Sequence, residues 1–312
     1  MINHSPQGGA STKRILITGG TGMLGADVFS TFGNTPGYEV YSVSRMASGN
    51  NKNHLTGDLT DAEKLKVMLR DLQPEIIIHC AAQVNVNACE TDKEYADAIH
   101  VKATENLAKY SSAKQFIYIS TDSVFDGQRG NYSETDVTNP LNYYALTKLR
   151  GEEAAARFAR HYAIIRTNII GFHQPIQGSL FEWAYKSLSS NTKIKGFDNV
   201  MFNPMYCAIL AEKLVQFLGR DFPSGIYNFG ASDAISKYEF LRRIAGKFNF
   251  DETLITAEKL VNDPEKGAIR PLNTSLNVSK VTGLGLTMPT MDENIDLLYK
   301  DFKANNNEGK QV

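Results

Sequence analysis

The sequence predicts an α/β protein in which a parallel sheet is covered by helices on both faces and a smaller lobe follows. Up to about residue 168, short β-branched runs alternate with helical stretches, which is the pattern of successive βαβ units. A glycine-rich turn joins the first strand to the first helix. After residue 168 the alternation ends and prolines interrupt the chain, so residues 169–304 are expected to form mainly a second α/β lobe.

Each element follows from its local pattern. The runs RILIT and EIIIHC are continuously apolar, as in strands buried on both faces, whereas YEVYSVS alternates. Thr60 or Asp61 is expected to cap the helix that follows the third strand. The predicted strands are 14–18, 38–44, 75–80, 115–120 and 162–167, and the predicted helices are 23–32, 61–72, 92–111, 143–160, 207–218 and 237–249.

Length, charge and cysteine usage exclude several classes of protein. A chain of 312 residues can bury on the order of 75% of its unfolded surface, so it needs no disulfide or metal to fold. Its 33 basic and 34 acidic residues lack the excess positive charge of a dedicated nucleic-acid-binding protein. The cysteines Cys80, Cys89 and Cys207 form no C-x-x-C pair and the histidines have no metal-ligand spacing, so no metal site is expected.

The ends of the chain and its apolar runs bear on location. No run approaches the ~18 residues of a membrane span. The first dozen residues are polar and rich in glycine and serine, without the apolar core of a signal peptide. We therefore expect a cytoplasmic protein without a membrane partner, and flexible segments at residues 1–12 and 305–312.

The turn after the first strand reads TGGTGMLG. Gly19, Gly22 and Gly25 form G-x-x-G-x-x-G between a strand and a helix, which is the context of a dinucleotide-binding turn. The first glycine permits the tight turn, the second lets backbone approach a pyrophosphate, and the third lets helix and sheet pack closely. This pattern predicts a Rossmann-type, doubly wound domain over residues 13–168, to which some later segments return. A glycine-rich turn without a ligand is the alternative.

The end of the second predicted strand bears on which dinucleotide binds. An acidic residue there would bind the ribose 2′-hydroxyl, but the chain has Ser44 and Arg45. A guanidinium pairs with phosphate through two parallel hydrogen bonds, so this pair favours NADPH over NADH. An exposed surface arginine is the alternative. Asp58 and Leu59 are expected beside the adenine, with Asp58 as a helix cap the competing interpretation.

Tyr144 and Lys148 lie four residues apart in a predicted helix and therefore on one face of it. They follow by about twenty residues a strand that ends in Ser120, Thr121 and Asp122. Lys148 beside Tyr144 would lower the pKa of the phenol from its usual value of about 10. Tyr144 could then protonate a carbonyl oxygen while hydride reaches the carbon, with Thr121 orienting the carbonyl. The pattern indicates a reductase.

Four motifs resemble those of the extended short-chain dehydrogenases/reductases, and within them the dTDP-4-dehydrorhamnose reductase family: TGGTGMLG, HCAA at 79–82, STDSVFDG at 120–127 and PLNYYALTK at 140–148. The segment RPLNTSLN at 270–277 is similar to that family's R-P-x-N-S-x-L ending. The resemblance therefore spans roughly residues 13–300. It implies Thr121, Tyr144 and Lys148 as the catalytic residues. It implies NADPH contacts from Gly19, Thr21, Gly22, Met23, Leu24, Gly25, Ser44, Arg45, Asp58, Leu59, Cys80, Ala81, Ala82, Tyr144, Lys148, Thr167 and Asn168, and substrate contacts from Asn85, Asp122, Ser123, Val124, Phe125, Ile169 and Arg270.

The chain departs from that family mainly where the substrate is expected. Ser123 stands where the family has a tyrosine, Ile169 where it has a tryptophan, and VNACE at 86–90 where it has V-D-K-A-E. His100 replaces the usual asparagine of the long helix. These differences leave the predicted cofactor site intact and indicate a changed sugar.

The resemblance implies an NADPH-dependent reductase of a nucleotide-diphospho-4-keto-6-deoxysugar, which would convert the C4 ketone to an alcohol in deoxysugar biosynthesis. A sugar-nucleotide 4-epimerase or dehydrogenase of the same superfamily is one alternative. A non-catalytic NADP-binding regulatory subunit is another, because the methionine adenosyltransferase β subunit shares the HCAA and VFDG stretches. A homodimer is expected through the helices at 92–111 and 143–160, with the alanines at 154–156 allowing close approach.

Overall fold

The computed structural model describes residues 12–45, 51–265 and 267–308. Most of the two predicted flexible ends, residues 1–11 and 309–312, lies outside these ranges, whereas residues 305–308 belong to the last helix. Across the described ranges, no helix is both long and apolar enough to cross a lipid bilayer. The same ranges contain no group of three or more His, Cys, Asp or Glu side chains placed to hold a metal ion.

Strands and helices alternate through the first half of the chain. The strands are β1 (Lys13–Thr18), β2 (Tyr38–Ser44), β3 (His54–Thr56), β4 (Ile76–His79), β5 (Gln115–Ile119), β6 (Tyr162–Thr167), β7 (Ile169–Ile170), β8 (Ile194–Phe197), β9 (Met201–Phe202), β10 (Met205–Tyr206), β11 (Gly225–Phe229), β12 (Ile235–Ser236) and β13 (Ile255–Glu258). The helices are α1 (Met23–Gly33), α2 (Ala62–Leu72), α3 (Val86–Thr91), α4 (Lys93–Asp97), α5 (Ala103–Tyr110), α6 (Tyr143–Phe158), α7 (Leu180–Ser189), α8 (Cys207–Leu218), α9 (Lys237–Phe248), α10 (Ser279–Gly283) and α11 (Met291–Glu308).

The main sheet has seven parallel strands in the order β11-β6-β5-β4-β1-β2-β3. After β3 the chain crosses to the other side of β1 to form β4, so the connections that follow β1 and β4 diverge at the carboxyl edge of the sheet. In open α/β sheets the crevice at such a point is where ligands bind. The predicted α/β fold with a Rossmann-type sheet is confirmed.

Neighbouring residues of the central strands pack into two separate cores. Ile15 and Ile17 of β1 lie in one core with residues of α1, α8 and α11. Leu16, between them, lies in the other core with residues of α2 and α5. All three are fully buried, so β1 is covered by helices on both faces, as its continuous apolar run predicts.

The predicted long helix at 92–111 is interrupted. It is formed by α4, a π-helical turn at Ala98–Lys102 and α5. Single π-turns inside α-helices are rare and are frequent at functional sites, because the extra residue shifts where the following side chains point. This turn carries His100, which is fully buried.

The second lobe consists of short strand pairs packed with α7 and α9. β13 pairs with β8 in parallel, and β12 pairs with β9 in antiparallel orientation. Later segments also return to the first domain, since β11 extends the main sheet beside β6 and α8 packs on α1. The carboxyl edge of the sheet therefore faces segments from both halves of the chain.

Candidate active site

The glycine turn has the geometry that close approach by a ligand requires. Gly19 has a φ of +71°, a conformation that favours glycine, and a Cβ there would lie 2.9 Å from the Ala81 backbone nitrogen. A Cβ on Gly25 would lie 2.1 Å from the Gly19 carbonyl oxygen. Helix α1 begins after Gly22 without a side-chain cap, so its first N–H groups are available to a phosphate. The turn fits a dinucleotide pyrophosphate.

Other residues assigned to this turn differ in exposure. Thr21 is exposed and Met23 is partly buried. Leu24, by contrast, is only 5% exposed and belongs to the core beneath α1. Its side chain therefore supports the helix, and only its backbone can face a dinucleotide.

Arg45 and Asp58 come together beyond the ends of β2 and β3. The exposed Arg45 guanidinium lies 5.5 Å from the centre of the Tyr95 ring. Hydrogen bonds from the Thr60 N–H and hydroxyl, at 2.9 and 2.8 Å, hold the pKa of Asp58 below its ordinary value, and Arg45 adds to this shift. Leu59 is 4% exposed and packs in the core rather than at the surface. No sequence pattern predicted Tyr95 as a neighbour of Arg45, because Tyr95 lies in α4, far from Arg45 in the chain.

The end of β4 lies against the glycine turn. The Ala81 N–H donates to Thr18 Oγ1 at 3.1 Å, and Thr18 donates to His79 Nδ1 at 2.6 Å. Cys80 is partly exposed by surface area, yet its thiol is desolvated and burial raises its pKa to about 12. Cys80, Ala81 and Ala82 thus line the crevice as neutral residues.

Thr121, Tyr144 and Lys148 converge beside the carboxyl edge of β5. Asn142 caps α6 by accepting a hydrogen bond from Ala145 N–H at 2.9 Å, which fixes the first turn that carries Tyr144. Burial raises the pKa of Tyr144 well above its ordinary value, and a hydrogen bond with the Thr121 hydroxyl opposes that rise. The phenol therefore lies close to Thr121, whose hydroxyl donates to Asp122 Oδ1 at 3.1 Å.

Lys148 is buried against the end of β5. Its side chain is 2% exposed, donates to the Ile119 carbonyl at 2.6 Å and lies 4.1 Å from the centre of the Tyr118 ring. Burial lowers the pKa of Lys148 to about 7. The expectation that Lys148 lowers the pKa of Tyr144 is not met here, because burial dominates both groups and the ammonium is bonded to a carbonyl.

Two buried histidines, which sequence reasoning did not assign to the site, connect the glycine turn to the catalytic helix. His79 Nε2 donates to Thr104 Oγ1 at 3.0 Å, and the Thr104 hydroxyl donates to the His100 carbonyl at 2.7 Å. His100 Nε2 accepts from Gln83 N–H at 3.0 Å, so Nδ1 carries the ring proton and donates to Thr147 Oγ1 at 2.8 Å. Burial lowers the pKa of His79 to about 3 and that of His100 to about 2, so both rings are neutral.

Asp122 was expected to contact the substrate, but the structure uses its carboxylate as an internal acceptor. It is 1% exposed and accepts hydrogen bonds from Asn168 Nδ2 at 2.9 Å, from the Thr121 hydroxyl at 3.1 Å, and from the hydroxyls of Ser123 and Thr274. Burial raises its pKa although these bonds oppose the rise. Asp122 therefore links the catalytic loop, the end of β6 and the 270–276 segment.

Val124 and Phe125 also differ from their expected role. Both are fully buried, and the Phe125 ring stacks on Tyr132 with centroids 4.3 Å apart. Their side chains form a small core with Leu276 behind the catalytic loop, so they do not face the crevice. The VFDG stretch thus stabilises the loop that carries Thr121.

An ion pair beneath the site was also missed. Glu152 of α6 accepts from Arg166 Nη2 at 2.7 Å and from Ser120 Oγ at 2.5 Å, and both charged side chains are 3% exposed. Glu152 lies one turn beyond Lys148 on the same helix, and the charge of Glu152 raises the pKa of Lys148 against the effect of burial. The sequence did carry a signal for this ion pair, because Glu152 follows Lys148 by four residues and therefore lies on the same face of the helix.

The remaining residues predicted for substrate or cofactor differ in exposure. Asn85 is exposed and caps α3, accepting from Ala88 N–H at 3.0 Å. Ser123, Ile169 and Asn168 are partly buried, whereas Thr167 is only 4% exposed. Arg270 is exposed.

The sequence model of the family described as the RmlD substrate binding domain matches residues 13–304. The chain belongs to this family. A methionine adenosyltransferase 2 subunit beta from Xenopus tropicalis is 31% identical over 286 residues, which cover 89% of this chain and 84% of that protein. A probable low-salt glycan biosynthesis reductase, Agl14, from Haloferax volcanii is 28% identical and covers 92% of this chain and 97% of its own.

A solved structure extends the comparison to the fold of this RmlD-family chain. The dTDP-4-dehydrorhamnose reductase from Bacillus anthracis, solved in complex with NADP, superposes with a TM-score of 0.82 at 24% identity, over 94% of this chain and 99% of that one. At that identity the likeness concerns the fold. The match nevertheless extends through both the sheet and the second lobe.

Proposed function

We propose that this protein is an NADPH-dependent reductase of a nucleotide-diphospho-4-keto-6-deoxysugar. The observation that carries the proposal is the convergence of Thr121, Tyr144 and buried Lys148 at the sheet edge that also carries the glycine turn. An oxidoreductase with a nicotinamide cofactor fits the family and the relatives that are named reductases.

The glycine turn supports a bound dinucleotide, because Cβ atoms at Gly19 and Gly25 would collide with backbone and because the first N–H groups of α1 are uncapped. Gly22 and Met23 would hold the pyrophosphate, Ser44 and Arg45 the 2′-phosphate. When bound, the dinucleotide supplies the hydride. Cys80 and Ala81 would form the wall of the crevice.

Tyr144 is the proposed proton donor to the carbonyl oxygen of the substrate. Because burial keeps the pKa of the phenol high, Tyr144 carries its proton at neutral pH and can release it when negative charge develops on that oxygen. Thr121 would orient the carbonyl, which requires its hydroxyl to leave Asp122 Oδ1, the acceptor to which it donates at 3.1 Å. Lys148, whose ammonium donates to the Ile119 carbonyl in this structure, would contact the bound ribose and stabilise the phenolate that remains.

A regulatory subunit remains the second candidate, and one observation favours it. The Xenopus tropicalis relative with 31% identity is named as the beta subunit of methionine adenosyltransferase. A 4-epimerase or dehydrogenase would use the same three side chains and keep or consume oxidised cofactor, but the exposed guanidinium of Arg45 supports NADPH. Turnover separates these functions.

The cofactor preference gives a direct prediction. NADPH is expected to bind more tightly than NADH. Arg45→Ala should reduce the difference between the two binding free energies by about 1.5–3 kcal/mol, which is typical of a charge-assisted hydrogen bond. Fluorescence titration of both cofactors measures this. Lys52→Ala, which removes an exposed positive charge just before β3, is the matched control. Equal affinities for the two cofactors in the unmodified protein would contradict the assignment of Arg45.

The reductase is tested by loss of NADPH absorbance with a panel of dTDP-, GDP- and UDP-linked 4-keto-6-deoxysugars. We expect at least one to be reduced, and we expect dTDP-4-dehydrorhamnose not to be the best, because Ser123, Asn87 and Ile169 differ from the family pattern. If dTDP-4-dehydrorhamnose is the best, these residues do not change the substrate. If none reacts, the regulatory function is favoured.

Two further parts of the proposal concern assembly and location. A homodimer stays a prediction, but its expected contact needs revision, because Ala154 and Ala155 are buried inside the chain and only Ala156 of the three is exposed. A cytoplasmic location stays a prediction as well.

A further inference from the structure

Lys237 lies where three segments of the second lobe meet. It is the first residue of α9, and its N–H donates to the Val200 carbonyl at 2.9 Å. β12 pairs with β9, which places Phe202 opposite Ile235. The Lys237 ammonium lies 5.7 Å from the centre of the Phe202 ring. The lysine ammonium thus lies beside the β9–β12 strand pair and is partly buried.

Arg270 lies on the neighbouring segment, which runs along the mouth of the active site. The Ile269 carbonyl accepts a hydrogen bond at 2.8 Å from Asn142 Nδ2, and Asn142 is the cap of the catalytic helix. Met201 N–H donates to the Leu272 carbonyl at 2.7 Å, so the same segment is fixed to β9. These bonds bring Arg270 to the side of the site where Lys237 lies.

The two cations lie on segments that both join β9, because Ser236 pairs with Met201 and the Met201 N–H donates to the Leu272 carbonyl. Within residues 12–45, 51–265 and 267–308, neither the Lys237 ammonium nor the Arg270 guanidinium donates a hydrogen bond or joins an ion pair. Burial and the positive charge of Arg270 lower the pKa of Lys237. Asp122 is the carboxylate that opposes this effect, but it is buried and already accepts four hydrogen bonds.

Such an arrangement is electrostatically unfavourable unless an anion completes it. Two like charges close together repel, and the repulsion is stronger where one of them is partly shielded from water. An anion that lies between them reverses the sign of the interaction. Lysine would provide a compact charge and arginine a planar fork, a combination suited to phosphate oxygens.

We propose that Lys237 and Arg270 together form a binding site for a phosphate-type dianion at the entrance to the crevice. On the proposed function, on which this identification of the ligand rests, the dianion is the diphosphate of the nucleotide sugar. Arg270 was expected at the substrate from the family resemblance, and Lys237 is the addition that the structure makes. Asp122 connects this site to Thr121, so a sugar held by its diphosphate here would extend toward Tyr144.

The test is isothermal titration calorimetry, which measures the affinity of the full chain for inorganic pyrophosphate. NADP+ is present in excess to occupy the dinucleotide site. Lys237→Gln should weaken pyrophosphate binding about tenfold or more, because a charge-assisted contact is lost, and Lys237→Arg should restore most of it. Lys195→Gln is the matched control, since Lys195 is an exposed lysine of the same lobe that pairs with Glu258 at 2.7 Å.

Arg270→Gln provides a second variant whose side chain is exposed, so the test does not depend on the folding of Lys237→Gln. It should also weaken pyrophosphate about tenfold. The inference is overturned if the unmodified protein does not bind pyrophosphate, or if the changes at 237 and 270 have no more effect than the change at 195. Pyrophosphate binding without reduction of any sugar would remove the proposed function and leave this site. Reduction of a sugar with an unchanged KM in Lys237→Gln would overturn this binding site and leave the proposed function.

Discussion

Replacing Tyr144 with phenylalanine is expected to lower turnover by roughly 10²–10⁴-fold, which is the usual contribution of a positioned general acid. The fold and most of the NADPH affinity should persist, because only one hydroxyl is removed and α6 keeps its Asn142 cap. The hydroxyl that is lost is the one that lies close to Thr121. The measurement is kcat with the best sugar of the panel, together with the Kd for NADPH.

Tyr143→Phe is the matched control on the same helix. The Tyr143 hydroxyl donates to Asp97 Oδ2 at 2.6 Å, away from Thr121, so this change also removes one tyrosine hydroxyl and one hydrogen bond. It should leave turnover within a few-fold of the unmodified protein, in line with the small effect of a peripheral hydrogen bond. Equal losses in the two variants would mean that Tyr144 acts through the helix and not as the acid.

Lys148→Met should have the second large effect, with turnover reduced by at least roughly 10²-fold and NADPH affinity reduced by about tenfold or more. Methionine fills a similar volume, but the Ile119 carbonyl loses its donor and the buried positive charge disappears. A loss of turnover with unchanged NADPH affinity would show that Lys148 does not contact the cofactor. Lys109→Met, at an exposed position of α5, is the control.

The same lysine gives a pH dependence. Burial lowers the pKa of Lys148 to about 7, so its positive charge is present below that pH and is lost as the pH rises through it. NADPH affinity of the unmodified protein should therefore fall above about pH 7, whereas Lys148→Met should not show this step. Parallel titrations of cofactor at pH 6 and pH 9 compare the two proteins.

Local spacing was sufficient to predict the elements of the first half of the chain. The predicted strands 38–44 and 162–167 coincide with β2 and β6, because each is bounded by residues that end a strand. The return of β11 to the main sheet pairs Ile226 with Ile164, a partner 62 residues earlier that no local pattern specifies. The same limit applies to the interrupted helix around His100, where the apolar spacing of a π-turn differs by one residue from that of an α-helix.

The residues of the site also fall into two groups, those set by the local sequence and those set by partners far away in the chain. The glycine turn and the Tyr144–Lys148 spacing are local, so the sequence predicted both, whereas the partners of Asp122 were not predictable. Asn168 and Thr274 lie 46 and 152 residues away from it in the chain. Once these donors surround it, the carboxylate is buried instead of facing a ligand. Phe125 shows the same effect, since its partner Tyr132 and the strand-like segment at Leu276 turn it into the core.

Transfer of deuterium from NADPH labelled at C4 of the nicotinamide tests the central claim most directly. The labelled cofactor is incubated with the unmodified protein and each 4-keto-6-deoxysugar nucleotide of the panel, and the sugar is analysed by mass spectrometry and NMR. A reductase predicts one deuterium at C4 of the product, formed far more slowly by Tyr144→Phe. The absence of label from every sugar, with NADPH bound but unconsumed, would contradict the reductase and leave a cofactor-binding regulatory subunit as the better account.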